Sequence, residues 1–292
     1  MFLQQLVFGV AIGSTYALVA VGFSLVFGIL ELINFANGAF VLTGAYLAIV
    51  LLFTFNFPVV PAILLAMILT GGLGYLMELF ALRPIRSRGQ SPIAALICTV
   101  AVSMIIVNLQ IAIFGSEARP FPDVFRLGSF FVGNVVVPWL NVIILSVTII
   151  QMTFLTLIVH KTELGAAMRA TAQNRQAARL MGINVNKIIA ITFFLGTSCV
   201  ALAGVLIGMS FTAVDYGMAS ELGIRTFAAA ILGGAGSLPG AMIGGLLIGM
   251  AESLVAGYIG TAYRDAVAFV VLVLVLLFRP AGLFGKEILK KV

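Results

Sequence analysis

The feature that most restricts what this chain can fold into is the length of its uncharged intervals. Asp, Glu, Lys and Arg are all absent from six intervals: 1–30, 32–77, 89–116, 127–160, 188–214 and 226–251. A helix needs about 20 apolar residues to cross a bilayer, so five of the six hold at least one span and 32–77 is long enough for two. With 62% hydrophobic and 9% charged residues, a soluble globule would expose large apolar patches to water. The composition therefore excludes a cytosolic enzyme, a secreted domain and a nucleic-acid-binding protein, and it predicts a membrane protein.

The uncharged intervals lack the two-residue alternation of a membrane β-barrel, so we predict an all-α, polytopic membrane protein. The apolar run 224–234 is short for a complete span and leads into a glycine-rich sequence, which favours a short, broken or re-entrant helix. We expect eight or nine crossings in a single transmembrane domain, residues 1–292. The regular passes are predicted near 4–29, 38–55, 59–82, 92–114, 137–159, 188–211, 241–258 and 260–278.

Three clusters contain twelve of the sixteen Lys and Arg residues. Because cations collect in the cytoplasmic loops of membrane proteins, we expect all three clusters on the cytoplasmic side. Three passes precede the first cation, so the N-terminus is expected outside and the C-terminus, beside the last cluster, inside. The clusters are Arg83, Arg86 and Arg88; Lys161, Arg169, Arg175, Arg179 and Lys187; and Arg279, Lys286, Lys290 and Lys291.

Sequence patterns that would indicate catalysis or metal binding are missing. The chain contains no G-x-x-x-x-G-K-[ST] phosphate loop and no HExxH, CxxC or GxSxG pattern. Cys98 and Cys199 are interpreted as buried, inert thiols, and His160 has no second His or Cys beside it. We therefore predict no catalytic residue, no metal and no cofactor in this chain.

The longest polar segment, 161–187, is rich in alanine and carries cations separated by small or polar residues. Alanine is a strong helix former, and Gly165 and Gly182 mark the ends of the helical part. We predict a short helix that lies flat under the membrane and docks into a groove on a partner protein. The alternative is a cationic loop held by anionic lipid, and composition alone leaves both open.

Five motifs follow one another in an order that occurs in a known family. Residues 176–182, QAARLMG, match an EAA-x-x-x-G loop with Gln176 in place of the usual Glu. The other four are INFANG at 33–38, RPIR at 83–86 followed by SPIAALI at 91–97, LGGAGSLPGAM at 232–242 and FRPAGLFG at 278–285. With these motifs the chain resembles the branched-chain amino-acid permeases of ABC importers (Liv type), and it is more similar to the H-type subunit than to the longer M-type.

This resemblance implies a transport subunit of the bacterial inner membrane rather than an enzyme. It implies half of a pathway for branched-chain or other small polar amino acids, completed by a second permease, which is expected to be a different, M-type chain. Two ATPase subunits would bind ATP and Mg, and a periplasmic or extracellular binding protein would deliver the solute. Asn37 stands where the family usually has His, and Ala39 replaces a common acidic residue. Urea, amides or small carboxylates therefore stay open as alternative solutes.

The resemblance also implies that the loop helix sits in a cleft on the ATPase. Ala177 and Ala178 would allow close approach, Gly182 would end the helix, and Arg175 or Arg179 would pair with acidic groups on the partner. The residues expected in ATPase coupling are Glu163, Gly165, Arg169, Arg175, Gln176, Ala177, Ala178, Arg179 and Gly182.

Polar residues at membrane depth are the candidates for the translocation pathway, since their burial without a partner is costly. Glu252 needs a partner, and we expect it to pair with Arg264 or Arg225, while Glu78 is expected to pair with Arg83. For the amides, a hydrogen bond between helices is the alternative role. The pathway candidates are Asn34, Asn37, Ser103, Asn108, Gln110 and Glu252, and the candidates for binding-protein contact are Asp215, Glu221 and Arg225.

Two other classes of membrane protein compete with this interpretation. A secondary transporter or channel would need no ATPase and would be expected to show inverted repeats and ion-binding residues at the midplane. A membrane enzyme or scaffold would need a reactive cluster or a large soluble region. The sequence provides no convincing repeat, few intramembrane charges and neither of the other two features.

Overall fold

A computed structural model describes residues 2–89, 91–121, 128–133, 135–279 and 281–285. Lys286, Lys290 and Lys291 of the third cationic cluster lie outside this part of the chain. The helices are α1 (Phe2–Leu30), α2 (Asn37–Phe53), α3 (Val59–Met77), α4 (Arg83–Ser87), α5 (Pro92–Phe114), α6 (Trp139–Lys161), α7 (Glu163–Gln173), α8 (Arg175–Leu180), α9 (Val185–Phe211), α10 (Gly217–Gly233), α11 (Leu238–Tyr258) and α12 (Arg264–Phe278). A π-helical segment, Glu78–Leu82, joins α3 to α4, and a 3-10 turn, Thr261–Tyr263, precedes α12.

Among the described residues, four short strands lie between the helices. β2 (Ser129–Val132) and β3 (Val135–Pro138) form an antiparallel hairpin before α6, and β1 (Arg119–Pro120) pairs with β4 (Ala213–Val214). The side chain of Gln4 fixes the hairpin to α1, because its Nε2 donates to the Val136 carbonyl and its Oε1 accepts from the Val136 amide, both at 2.8 Å. The predicted all-α membrane architecture is therefore confirmed, with small β elements only in connecting segments of the described chain.

In the described chain, seven helices are long and apolar enough to cross a membrane. One of them is the continuous helix Val59–Ser87, which comprises α3, the π-helical segment and α4. The predicted number of eight crossings is reached if the apolar, 17-residue α2 crosses in addition to these seven helices. Nine crossings are reached if α10 crosses as well. The apolar run 224–234 is not broken but belongs to the 17-residue α10, which starts at Gly217 and ends before the glycine-rich turn.

The centre of the fold is formed by α1 and α9, the two most buried of the long apolar helices. Small residues bring their backbones together: a Cβ added at Gly22 would lie 2.6 Å from the Gly196 carbonyl oxygen. The same holds between α1 and α11, where a Cβ added at Gly13 would lie 2.8 Å from Cα of Leu246. Because no side chain separates the backbones, α1 packs closely against both α9 and α11.

The helices α5, α6 and α12 have few buried residues along their length. Their exposed side chains are large and apolar, for example Ile105, Ile150 and Leu277. Such surfaces suit lipid or another membrane protein. This is the physical reason why so few residues of the chain are charged.

Candidate functional site

The segment expected to dock on a partner forms two helices, α7 and α8, where the sequence predicted one. Asn174 separates them because its backbone is extended (φ −157°, ψ 108°). Its side-chain oxygen accepts from the amides of Gln176 and Ala177, at 2.9 and 3.0 Å, and thereby starts α8. An asparagine before a helical run is a recognised helix start signal, so this break could have been found from the sequence.

Gly182 ends α8, as predicted. Its φ is +82°, a value that favours glycine. The Gly182 amide donates to the Arg179 carbonyl, and the Ile183 amide donates to the Ala178 carbonyl, both at 3.0 Å. At the other end, Gly165 lies against the carbonyls of Ile158 and Val159 with no room for a Cβ.

The outer face of α8 combines polar and apolar side chains. Leu180 and Met181 are 89% and 82% exposed, the highest values among the large apolar side chains of the described chain. Sequence reasoning missed both, although they lie inside the recognised motif. Gln176, Ala177 and Arg179 are exposed as well, whereas Ala178 is buried against the chain's own core. Only one of the two alanines expected to approach a partner is therefore at the surface.

Two arginines of the segment turn toward the membrane helices. Arg169 donates to the Val159 carbonyl at the end of α6. Arg175 donates to the carbonyls of Ile29, at 3.3 Å, and Leu30, at 2.9 Å, at the end of α1. Burial, together with nearby Arg86, lowers the pKa of Arg175 below its usual range. Arg179 is exposed, whereas Arg175 is half-buried and bonded to α1, so Arg179 is the more accessible of the two to an acidic partner surface.

Glu163, the remaining member of the coupling set, lies in the first turn of α7 and is exposed. Thr162 caps that helix by accepting from the Gly165 amide at 3.1 Å. A carboxylate at this position stabilises the positive end of the helix dipole. The whole predicted coupling set is thus gathered on α7, α8 and the turn that follows.

The predicted pathway carboxylate, Glu252 on α11, is fully buried and lies in a cluster of charges. Its Oε2 accepts from Arg264 Nε at 3.2 Å, and its Oε1 lies 3.5 Å from Arg225 Nε. Glu252 therefore contacts both of the arginines that the sequence offered as alternative partners. The hydroxyl of Tyr16 donates to Glu252 Oε2 at 2.8 Å and accepts from Arg225 Nη1 at 3.1 Å. Sequence reasoning missed Tyr16, a neutral residue in an apolar run.

The cluster connects four helices: α1, α10, α11 and α12. It also reaches the surface, because Arg225 Nη2 lies 3.4 Å from Glu221 Oε2 one turn earlier on α10. Burying a charge is costly unless it is paired and hydrogen-bonded. Glu252 is paired with Arg225 and Arg264 and hydrogen-bonded through Oε2, while its Oε1 has the ion pair with Arg225 but no hydrogen bond among the described residues, and these contacts join the four helices.

Asn34 and Asn37 are both buried where α1 gives way to α2. Asn34 Nδ2 donates to Asn37 Oδ1 at 3.1 Å, and Asn34 Oδ1 accepts from the Ala36 amide at 3.0 Å. Asn37 Nδ2 has no hydrogen-bond partner among the described residues. On α5, Gln110 Nε2 donates to Thr43 Oγ1 on α2 at 2.7 Å, which is the alternative role foreseen for the amides.

Ser103 and Asn108 lie together in a groove of about 440 Å³ between α5 and α10. Asn108 is exposed, and its Nδ2 donates to the Met104 carbonyl of its own helix at 2.8 Å. The structure thus brings the six pathway candidates together only in pairs: Ser103 lies with Asn108 in the groove and Asn34 with Asn37 at the start of α2, while Gln110 and Glu252 are buried elsewhere. The groove is lined by Phe35, Val100, Ser103, Met104, Val107, Asn108, Tyr216, Ala219, Ser220, Gly223 and Ile224.

Of the three residues predicted to meet a binding protein, two are at the surface. Asp215 Oδ1 accepts from the amides of Gly217 and Met218, at 2.6 and 3.3 Å, where α10 starts. The side chain of Glu221 is 57% exposed, whereas that of Arg225 is 11% exposed and turned into the bundle. Arg225 points inward because its side chain pairs with the buried carboxylate of Glu252.

Glu78 pairs with Arg86 at 2.6 Å, and not with Arg83 as predicted. Residues 78–82 form a π-helical segment with wider turns, which brings residues eight apart onto the same face. Arg86 also donates to Asn186 Oδ1 at 3.1 Å and thereby connects α4 to the start of α9.

In the part of the chain that the structure describes, no group of three His, Cys, Asp or Glu could hold a metal ion.

An apolar helical bundle with seven potential membrane-spanning helices in its described part, a buried charge cluster and a pair of cationic surface helices has the architecture of a polytopic membrane protein. Residues 5–276 match the family described as branched-chain amino acid transport system / permease component. The chain belongs to this family, as the sequence motifs predicted, and it is a permease subunit of an ABC importer in the inner membrane.

Relatives that match the whole chain include two permease proteins named for branched-chain amino acids. The high-affinity branched-chain amino acid transport system permease protein BraD of Pseudomonas aeruginosa is 41% identical over 100% of this chain and 98% of its own length. The corresponding protein LivH of Escherichia coli K12 is 36% identical over the same shares. A solved structure, PsaBC from Streptococcus pneumoniae in complex with Fab, shares the fold with a TM-score of 0.52 and 14% identity. That match covers 96% of this chain and 93% of the other.

Proposed function

We propose that this chain forms half of the pathway through which an ABC importer carries branched-chain or other small polar amino acids. The observation that carries the proposal is the similarity over the whole chain to two permeases whose names specify branched-chain amino acids. Urea, amides and small carboxylates are the alternative solutes.

The groove between α5 and α10 is the proposed lining of the pathway. Its walls are mostly apolar, with polar atoms from Ser103, Asn108 and Ser220. An exposed amide on a spanning helix is unfavourable against lipid. The exposure of Asn108 therefore supports the proposal that this face of α5 contacts water, solute or another chain. A second permease, proposed to be of the M-type, would cover the groove and close the pathway.

The free energy for transport would come from two ATPase subunits that bind ATP and Mg and dock on segment 161–187. Exposed Leu180 and Met181 support this docking, because two large apolar side chains in water favour burial against a partner. Docking there requires α7 and α8 on the cytoplasmic side. The N-terminus would then lie outside and the C-terminus inside.

The binding protein would approach the opposite side of the membrane. Asp215 and Glu221 are the proposed contacts, since both are exposed and acidic at the end of α10 away from the glycine-rich turn. A basic surface on the binding protein would complement them. Arg225 instead would act from within by holding Glu221 and Glu252.

Transport by the complete importer in vesicles tests the proposal. The permease pair, the ATPases and the binding protein are reconstituted, and ATP-dependent uptake of labelled leucine is measured. Unlabelled valine and isoleucine are expected to compete, whereas urea, acetamide and acetate are not. Competition by urea or acetate alone would assign an alternative solute, and uptake without ATP would contradict the proposed mechanism.

A further inference from the structure

The carbonyl end of α1 is held by a side chain from the coupling segment. After Leu30 the chain leaves the helix through Glu31, whose φ is +54°. The last carbonyls of a helix have no partner within the helix and carry its negative dipole end. Arg175 supplies what is missing, since its Nη2 donates to Ile29 and Leu30 from the first position of α8.

The two ends of α8 face in different directions. Arg175 reaches inward to α1, whereas Leu180 is 89% exposed. Five residues correspond to a rotation of about 140° around an α-helix, so one face of α8 can contact the membrane helices while the other contacts a partner. The short helix α8 is therefore suited to lie between the membrane helices and a partner protein.

The helix α1 is in turn packed tightly to the centre of the bundle. It contacts α9 at Gly22 and Gly196 and α11 near Gly13, with backbone against backbone. Tyr16 adds the hydrogen bond to Glu252 on α11. A displacement of the carbonyl end of α1 therefore moves α9 and α11 as well.

We infer that Arg175 is a positioning residue that joins the ATPase-docking segment to α1, so that movement of α8 is passed to the core of the permease. The inference rests on the proposed function, in which the ATPase docks on this segment. The planar guanidinium reaches two carbonyls at once, whereas the compact ammonium of lysine would hold them less rigidly. Arg175→Lys is thus the conservative variant.

The experiment measures solute uptake and ATP hydrolysis in the same vesicles with the complete importer. Arg175→Ala is expected to assemble with its ATPases and to transport about tenfold less solute per ATP hydrolysed. Arg175→Lys is expected to recover most of that ratio. Arg88→Ala is the matched control, because Arg88 is an exposed cation whose side chain bonds to none of the described residues.

An unchanged ratio for Arg175→Ala would overturn the inference, and so would loss of the ATPases from that variant, since Arg175 would then act in docking. Met181→Asp tests the docking itself, because it places a charge on the exposed apolar surface of Leu180 and Met181 at the end of α8. ATPases that still co-purify with Met181→Asp, with uptake intact, would contradict the docking proposal independently of any result at Arg175.

Discussion

Tyr16 and Glu252 are 236 positions apart in the chain and joined by a 2.8 Å hydrogen bond in the interior of the bundle. The bond connects α1 to α11, and the same hydroxyl accepts from Arg225 on α10. A single phenol thus lies at the junction of three helices. Its contacts make the charge cluster a structural element as well as a candidate part of the pathway.

Removing the Tyr16 hydroxyl is expected to destabilise the protein. Tyr16→Phe keeps the ring but leaves Glu252 and Arg225 without a shared partner, which costs about 1–3 kcal/mol of unfolding free energy. Thermal unfolding in detergent measures the loss. Tyr258→Phe on α11 is the control, because Tyr258 is 61% exposed and should show no comparable effect. Equal stability of both variants would mean that the hydroxyl contributes nothing.

Glu252→Gln is expected to lower both stability and transport. The substitution removes the negative charge that Arg225 and Arg264 share, and the loss of this buried carboxylate from beside two arginines is expected to destabilise the fold by about 3 kcal/mol. Unfolding temperature and uptake are measured on the same preparation. Unfolding and uptake equal to those of the parent protein would contradict the assigned role of Glu252.

Substitution of Gly182 is expected to act only through the backbone conformation at this position. A Cβ there would have nothing within 4 Å, so a substitution strains only the left-handed φ of +82°. Gly182→Val costs about 1–2 kcal/mol in this conformation and should lower uptake per ATP hydrolysed, since it disturbs the end of α8. Gly182→Asn is the control, because asparagine adopts this conformation more readily, and it should couple better than the valine variant.

Filling the groove between α5 and α10 is expected to reduce uptake without unfolding the protein. Ser103→Phe places a ring inside the groove, whereas Ile105→Phe places one on α5 outside it. Uptake should fall for the first variant and stay near the parent rate for the second, and both should unfold at the parent temperature. Similar uptake for the two variants would count against a pathway in this groove.

The spacing of charges predicted the membrane helices well, because a span is defined by length and apolarity. The pairing of Glu252 was predictable too, since a carboxylate at that depth requires a cation. Tyr16 was not, because one tyrosine in a long uncharged helix gives no sign of the direction it faces. The same reason applies to Ala178, whose burial depends on how α8 is rotated against the bundle.

Local chemistry explains the remaining differences. Asn174 divides the predicted single helix because its side chain satisfies the first amides of α8 better than a continued helix would. Arg86 replaces Arg83 as the partner of Glu78 because a π-helical segment changes the register. Charge spacing and apolar periodicity carry no information on either effect.

The packing of α1 directly against α11 has a consequence for biogenesis. A ribosome adds about 5–20 residues per second, so the 236 positions between Tyr16 and Glu252 take roughly 10–50 seconds to synthesise. During that interval the glycine face of α1 and the Tyr16 hydroxyl are inserted without their final neighbours. Newly made α1 must therefore be shielded by lipid, by the insertion machinery or by α9, and a chain truncated before α11 would be a natural substrate for membrane quality-control proteases.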